Sequence, residues 1–541
     1  MRCAAVLLLG ALWTLPVLAQ HPAAPAANVP PDAYVISGDE VRHWGLVRLG
    51  DIMQLAPVFS GYTADGFRTS GLLFGAGAEG SPPWRVAVDG VEVDATFLDG
   101  VHSEALPVST SRIDEIILLP PGPGPGGLSA AGWVMIRTLP PGRGVGGTFV
   151  ASAGNEVGDP GPYRYLEEAA PNVDRDGPSA DFQVTVPLRW ATPGLTMHVG
   201  ARADQAHLTE SSILERVYVL YDGVRKPRMT LLQPRLGLDW RQGEDTHRLR
   251  WSQTTLRDLP FFEAMGSELP ISRHLGALRM SGSRTKGAFR TSYAVSVERA
   301  EMLERSNRFG LNLDWAETRY RTRVAVSPVS QEWALSASVV GRRPDVAGFT
   351  PHLTPVPIVE AEIHRTLDSG IRQSWSGRLT LGRVPHLRLL PGLYVHLWSD
   401  ARPWQWSVRA GFVAETPEVA APEALWLAGG WDYPGEGAER STATGARDVR
   451  TASLDATVAR QFERGHVQVS LFGRAYHGLN KAATVLEPDS LFLDRYLADR
   501  DFRGEVRGRT LGVRVSGTQD LGPWMNHRLD YTVTGRPAAS E

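Results

Sequence analysis

From residue 145 onward, apolar and polar positions alternate with a period of two. Phe182, Val184, Val186, Leu188 and Trp190 are apolar, and Asp181, Gln183, Thr185 and Arg189 stand between them, with Pro187 the one irregular member. Leu195, Met197, Val199 and Ala201 alternate with Thr196, His198, Gly200 and Arg202. The same rhythm runs through Phe309, Leu311, Leu313 and Trp315, through Val467, Val469 and Leu471, and through Leu511, Val513 and Val515. Successive side chains of a strand point to opposite faces, so the pattern predicts strands with one apolar and one polar face. Roughly 18 to 20 such segments of about 8–12 residues follow one another, and no segment of helical period competes with them.

Residues 33–140 have a different texture. Val35-Ile36 predicts a short strand, and Ser37 is placed to cap a helical turn whose Asp39 and Glu40 meet the positive end of the helix dipole. Residues 49–55 predict a second short helix, stopped near Pro57. Arg85-Val86-Ala87-Val88 and Val91-Glu92-Val93 flank Asp89-Gly90. Asp-Gly between alternating apolar runs predicts a tight hairpin, with Gly90 at positive φ. Residues 113–119 and 133–138 predict two more strands, separated by a Pro/Gly-rich loop over 120–127.

Ahead of this region, Arg2, the apolar run 4–18 and Val17-Leu18-Ala19 have the layout of a secretory signal peptide, 1–19, cleaved after Ala19. Residues 20–32, rich in Ala and Pro, predict a flexible leader. No later stretch reaches about 18 apolar residues free of charge, so no helical membrane span is expected. An exported chain of many strands can bury its apolar face in a sandwich or propeller, or turn that face outward to lipid as a barrel. Alternation alone does not separate these. Trp190, Trp240, Trp251, Trp315, Trp333, Trp398, Trp404 and Trp406 stand near strand ends, where interfacial girdles form. The polar faces carry Arg, Asp, His and Gln, as a wet lumen permits, and no propeller repeat of about 40–50 residues recurs. These features favour the membrane barrel.

Charge and candidate chemistry narrow the function. With 56 Lys+Arg against 59 Asp+Glu, the net charge of −3 offers no basic excess for nucleic acid. The one cysteine, Cys3, lies inside the signal peptide, which excludes disulfide scaffolds, cysteine nucleophiles and cysteine-held metals in the mature chain. Gly122, Gly124 and Gly127 satisfy GxGxxG, but Pro123 and Pro125 remove donors a phosphate would need, and no helix follows. There is no HExxH, Walker loop or GxSxG, and His207, His247, His274 and His364 lack metal-ligand spacing. Asp89-Gly90 is better explained as a turn than as a catalytic acid. Aromatic and acidic residues in 426–439 form an outer loop that either contacts a ligand or is merely solvated. No catalytic residue, cofactor or metal site is expected, and the chain is not expected to be an enzyme.

The motifs of the N-terminal region also come in a telling order. Val35-Ile36-Ser37-Gly38-Asp39-Glu40-Val41 is followed by 49–58, by Gly66-Phe67-Arg68, by Val86-Ala87-Val88-Asp89-Gly90-Val91-Glu92-Val93, by Ile113-Asp114-Glu115-Ile116-Ile117 and by 132–138. In that order, 32–140 resembles the plug domain of TonB-dependent outer-membrane receptors, the Asp-Gly-Val hairpin being the most specific piece. The resemblance implies a plug over 33–140 and a large antiparallel transmembrane β-barrel of about 18–22 strands over 146–541, the α+β plug lying in its lumen. Asp89, Gly90 and Val91 are the plug-hairpin residues. The implied location is the outer membrane, with outer-membrane lipid around the barrel. The implied function is reception and transport of a scarce ligand: a ferric siderophore, haem, cobalamin or a glycan. A periplasmic TonB-like energy-coupling protein is the implied partner. The alternative is a non-energised binding or structural barrel with a retained plug. Two departures bear on this choice. Leu118-Leu119-Pro120 stands where the family has an Arg-Gly-Pro step, which removes one plug arginine, and 20–32 contains no clear energy-coupling box.

Overall fold

The computed structural model describes residues between 30 and 535. Outside the described residues lie 1–29, 31, 44–51, 54, 64–67, 75–83, 94–95, 98–99, 103–105, 140–143, 158–173, 189 and 209–227. So do 260–270, 307–310, 347–354, 368, 383–386, 400, 402, 416–448, 464, 481–504, 523–524 and 536–541. The signal peptide, most of the leader, Phe309, Gly66-Phe67 and the loop 426–439 therefore fall outside, as do the side chains of 311–315.

The N-terminal region begins with β1 (Tyr34–Ser37), α1 (Gly38–His43), β2 (Phe59–Thr63), β3 (Arg68–Leu73), β4 (Arg85–Val88) and β5 (Val91–Val93). It continues with β6 (Thr96–Phe97), β7 (Gly100–His102), β8 (Ile113–Leu119), β9 (Gly122–Gly124), β10 (Gly127–Ser129) and β11 (Trp133–Thr138). Its main sheet has the order β1-β8-β11-β4-β5, with β4 parallel to β11 and the other pairs antiparallel. The Ser37 hydroxyl caps α1 by accepting from the Glu40 amide at 3.1 Å. The unbroken apolar run Ile116-Ile117-Leu118-Leu119 fits a strand buried on both faces. Ile116, Leu118, Val134 and Ile136 pack one way, against Val41, Ile52, Met53 and Trp84, and Ile117, Leu119 and Trp133 pack the other. Two features escape the periodic pattern. A second sheet, β2-β3-β7-β6, is built from runs such as Phe59-Ser60-Gly61-Tyr62-Thr63, in which small and polar residues hide the alternation. The Pro/Gly-rich stretch folds as the hairpin β9–β10, Gly124 facing Gly127.

The remaining strands are β12 (Gly146–Val157), β13 (Asp174–Pro187), β14 (Leu195–Leu208), β15 (Arg228–Gln242), β16 (Asp245–Leu259) and β17 (Ile271–Lys286). After them come β18 (Phe289–Ser306), β19 (Leu311–Pro328), β20 (Trp333–Val346), β21 (Val356–Thr366), β22 (Arg372–Gly382) and β23 (Arg388–Ser399). The last are β24 (Trp404–Glu415), β25 (Val449–Phe462), β26 (Gly465–Asn480), β27 (Glu505–Gly522) and β28 (Met525–Gly535). Among the described residues these form one sheet of seventeen strands, each paired antiparallel with the next in sequence. Strands such as β18, β19 and β27 reach 18 residues. Connections at one end are short, as at 243–244, 287–288 and 329–332; those at the other include 209–227, 416–448 and 481–504. This asymmetry is the one that separates periplasmic turns from extracellular loops in outer-membrane barrels.

The sheet is inside-out relative to a soluble core. Along β25, Leu454 and Val458 are 55% and 49% exposed, whereas the intervening Asp455 and Thr457 are 5% and 2% exposed. Trp375 and Leu379 of β22 face out while Ser374, Ser376, Arg378 and Thr380 are buried, and Phe182 and Val184 of β13 face out while Asp181 and Thr185 are buried. At the short-connection end Trp190, Trp333 and Trp404 are exposed. Phe289 and Trp333 touch there at 6.2 Å, and Arg460 lies 5.1 Å over both Trp404 and Phe462. Trp240 stacks on His247 at 5.0 Å in the same band. Trp398 and Trp406 are half-buried near it, Trp251 is exposed farther along its strand, and Trp315 has no described side chain. No helix among the described residues is long and apolar enough to cross a membrane.

The N-terminal sheets lie within the concave side of this wall. Ser111 reaches Thr148 on β12 at 3.2 Å, Pro57 accepts from Thr532 on β28 at 3.2 Å, and Leu275 on β17 packs against the N-terminal core. One small body that touches the first, middle and last strands of a sheet must be encircled by it. An apolar face turned to lipid predicts a specific tolerance at Leu454. Leu454→Arg should cost roughly 2–4 kcal/mol near the bilayer midplane, whereas Leu454→Phe should be nearly neutral because lipid chains reshape around it. Unfolding free energies in lipid vesicles check this, and a Phe penalty equal to that of Arg would mean a packed protein core there.

Candidate functional site at the seam between plug and wall

The inner face of the wall is polar because the outer face is apolar, so whatever fills it must match buried charge. The plug does this at three places. At the first, Arg85 on β4 and Arg378 on β22 both bind Glu415 Oε1 at 2.6 Å. Arg378 also donates to the Leu128 carbonyl at 2.8 Å, and the Leu128 amide donates to Glu360 at 2.8 Å. Arg321 pairs with Glu92, and Arg323 donates to the Pro125 carbonyl. The β9–β10 hairpin is thus gripped by β19, β21 and β22. Gly127 is required here: its φ is +108°, and a Cβ at that position would land on the Glu360 carboxylate.

At the second place, Asp32 is almost fully buried and binds Arg409 Nε at 2.9 Å, with His396 Nε2 at 3.6 Å. Arg409 also donates to the Pro120 carbonyl at 3.4 Å. The plug stretch here, Leu118-Leu119-Pro120, holds no arginine. The wall supplies the cation instead, and the plug supplies a carbonyl and the last carboxylate of the leader.

The third place contains Asp89, Gly90 and Val91. Asp89 and Gly90 are the turn between β4 and β5, with φ of 49° and 81°, as a type I′ turn needs at both positions. The Asp89 carboxylate accepts from the Thr138 amide at 2.9 Å and from its hydroxyl at 2.7 Å, and Arg248 of β16 approaches it at 3.6 Å. Val91 is buried. The turn therefore joins the plug hairpin to the end of β11, where the chain leaves for the wall. Thr138 as its partner could not be seen from the hairpin signal, because the two lie far apart in sequence.

Among the described residues, two clefts stand out along the seam. One, of about 60 Å³, runs beside Gly90, Pro125 and β18–β22; the other, of about 100 Å³, lies between Asp89, Arg112 and β14–β17. Burial pulls the Arg112 guanidinium below its ordinary value; Asp89 and Asp239 act against this, and Arg250 adds to it. The histidines considered from the sequence do not converge. His247 stands 2.9 Å from the Tyr293 hydroxyl, His274 is 3.2 Å from Thr255, His364 is 3.5 Å from Glu362, and the side chain of His207 is outside the described set. The described residues contain no group of three His, Cys, Asp or Glu able to hold a metal ion. Glu415, Glu360, Arg378 and Arg409 carry no local signal beyond being polar on an inner face, since their plug partners lie 232 to 377 residues away.

No protein-family model matches the chain, and no curated protein matches it. Solved structures do resemble it. The siderophore receptor PirA from Acinetobacter baumannii is similar with a TM-score of 0.66 at 11% identity, over 96% of this chain and 82% of that one. The ferric enterobactin receptor PfeA from Pseudomonas aeruginosa, in a mutant bound to enterobactin, has a TM-score of 0.64 at 12% identity, over 93% and 81%. The copper transporter OprC has a TM-score of 0.62 at 13% identity, over 94% and 81%. At these identities the likeness is one of fold.

Two substitutions test the seam. Glu415→Gln leaves Arg85 and Arg378 buried without their shared carboxylate, so the plug should loosen by about 3–5 kcal/mol, the range for one broken buried pair. Faster limited proteolysis of 33–140 in the folded protein reports it. Gly90→Val should cost only the left-handed backbone penalty of about 1–2 kcal/mol, because nothing stands within 4 Å of a Cβ there. Gly127→Val adds a collision with Glu360 and should impair plug seating more severely in the same assay.

Proposed function

We propose that this chain is an outer-membrane receptor and transporter whose plug gates the uptake of a scarce ligand, and that it performs no catalysis. The observation that carries this is the plug encircled by the wall, the seam between them narrowing to clefts of about 60 and 100 Å³ among the described residues. Each holds several waters at most. An organic chelate does not fit through clefts of that size, so passage along this seam requires the plug to shift, and a plug that shifts is a transport device. The neighbours named for siderophores, enterobactin and copper support the same class of cargo, a ferric siderophore first, with haem, cobalamin or a glycan as alternatives.

The proposed source of work is a periplasmic TonB-like coupling protein pulling on the leader 20–32. Force applied there acts first on Asp32, and through it on Arg409, Pro120 and the base of the β9–β10 hairpin. The buried pair is therefore the expected first contact to yield. A non-energised barrel with a retained plug would keep these contacts permanently.

A reversible cross-link separates the two. Ser111 and Thr148 hydroxyls lie 3.2 Å apart across the seam, and the only native cysteine, Cys3, is in the expected signal peptide. In cells supplied with ferric siderophores, haem, cobalamin or glycans in turn, the native chain should raise uptake of one of them. The Ser111→Cys, Thr148→Cys variant should lose that uptake when oxidised and regain it on reduction. The protein should also fractionate with the outer membrane and migrate differently on a gel before and after heating. Recovery as a soluble periplasmic protein, or uptake indifferent to the cross-link, would contradict a mobile plug.

A further inference from the structure

The larger seam cleft has a chemistry that the transport scheme does not use. Five arginines line it: Arg112 from the plug, and Arg235, Arg248, Arg250 and Arg279 from β15, β16 and β17. Asp181 holds Arg235, Glu298 holds Arg279 at 2.6 Å, Asp239 holds Arg250 at 2.6 Å, and Asp89 stands 3.6 Å from Arg248. Asp181 and Glu298 do not line the cleft, so the cleft itself presents five cations against the carboxylates of Asp89 and Asp239.

The second observation is independent of this count. The Arg235 side chain is 9% exposed and the Arg279 side chain 5%. Arg235 Nε and Nη1 and Arg279 Nη1 nevertheless have no hydrogen-bond acceptor in the protein. Buried donors are rarely left so, and guanidinium donors least of all, because each forgoes a charge-assisted bond. A planar fork with free N–H groups matches the oxygens of phosphate or sulfate. The cleft volume of about 100 Å³ admits an ion of that size. Its arginines project from the inner face of the wall, away from lipid, so a phospholipid headgroup has no access.

We propose that this cleft binds a small inorganic oxyanion, phosphate or sulfate, which bridges Arg112 of the plug to Arg235 and Arg279 of the wall. Bound there, the ion ties plug to wall on the side opposite the Glu360 and Glu415 contacts. The site stands on the seam geometry alone and does not require that the chain transport anything.

Calorimetric titration of the purified full-length protein with inorganic phosphate tests it, with sulfate in parallel and chloride at matched ionic strength as control. Saturable binding of one phosphate or sulfate per chain is expected, with no response to chloride and no competition from phosphatidylglycerol vesicles. The R235Q, R279Q variant should bind at least ten-fold more weakly, and R299Q, an exposed arginine paired with Glu301 on the outer face, should bind as the native chain does. Absence of saturable binding, or undiminished binding by R235Q, R279Q, would overturn the site. If that variant loses its heat-modifiable folded form, R248Q at the half-exposed mouth serves instead. A loss of three-fold or more upholds the site and an unchanged affinity rejects it. Failure of ligand uptake with phosphate binding intact would count against transport alone.

Discussion

Arginines on the inner face of the seventeen-strand sheet are shielded from bulk water, and each buried guanidinium must find acceptors or the fold carries a heavy desolvation cost. That constraint organises the rest. The outer face is apolar, so the alternation of a strand delivers polar side chains inward by default. Arg378 and Arg409 are then answered by Glu415 and Asp32 and by the carbonyls of Leu128 and Pro120. The plug sits where it does because it brings those carbonyls and one of those acids.

A buried ion pair is a poor source of net stability, yet breaking one is expensive. This combination suits a gate. The plug is held in one position by contacts that discriminate sharply between seated and unseated states. The same contacts need not make the seated state deep, because water can solvate both partners once they part. The apolar plug core around Ile116, Leu118, Val134 and Ile136 carries the folding of the plug itself. Folding of the plug and its attachment to the wall thus rest on different interactions, and one can change while the other persists.

The polar seam is uneven around the plug. Toward β19–β24 acids and arginines meet in short contacts with the β9–β10 hairpin and Asp32. Toward β14–β17 the cleft is lined by more guanidinium groups than carboxylates. The side of the hairpin contacts includes Asp32, nearest the leader, and the cleft side includes Asp89, which is hydrogen-bonded to the end of β11. A pull on the leader and an ion on the opposite side would act on separate parts of the same seam.

Much of the architecture was legible in the sequence because it depends on short-range rules. Alternation predicted β13, β14 and β26, Ser37 with Asp39 and Glu40 predicted the capped α1, and Asp89-Gly90 predicted a tight turn between β4 and β5. Each of these is decided within a few residues by side-chain direction, capping or φ. The direction of the apolar face was not decided so: period-two alternation is the same whether that face meets lipid or a core. Only the tertiary structure shows Leu454 and Val458 facing out and Asp455 and Thr457 buried. It likewise folds the Pro/Gly-rich stretch into a hairpin and assigns Pro120 an arginine from the wall, Arg409. The seam partners Arg85 and Glu415 lie 330 residues apart. No local pattern encodes such a pairing, because it arises only when the sheet curls and its inner charges meet the one body small enough to lie inside it.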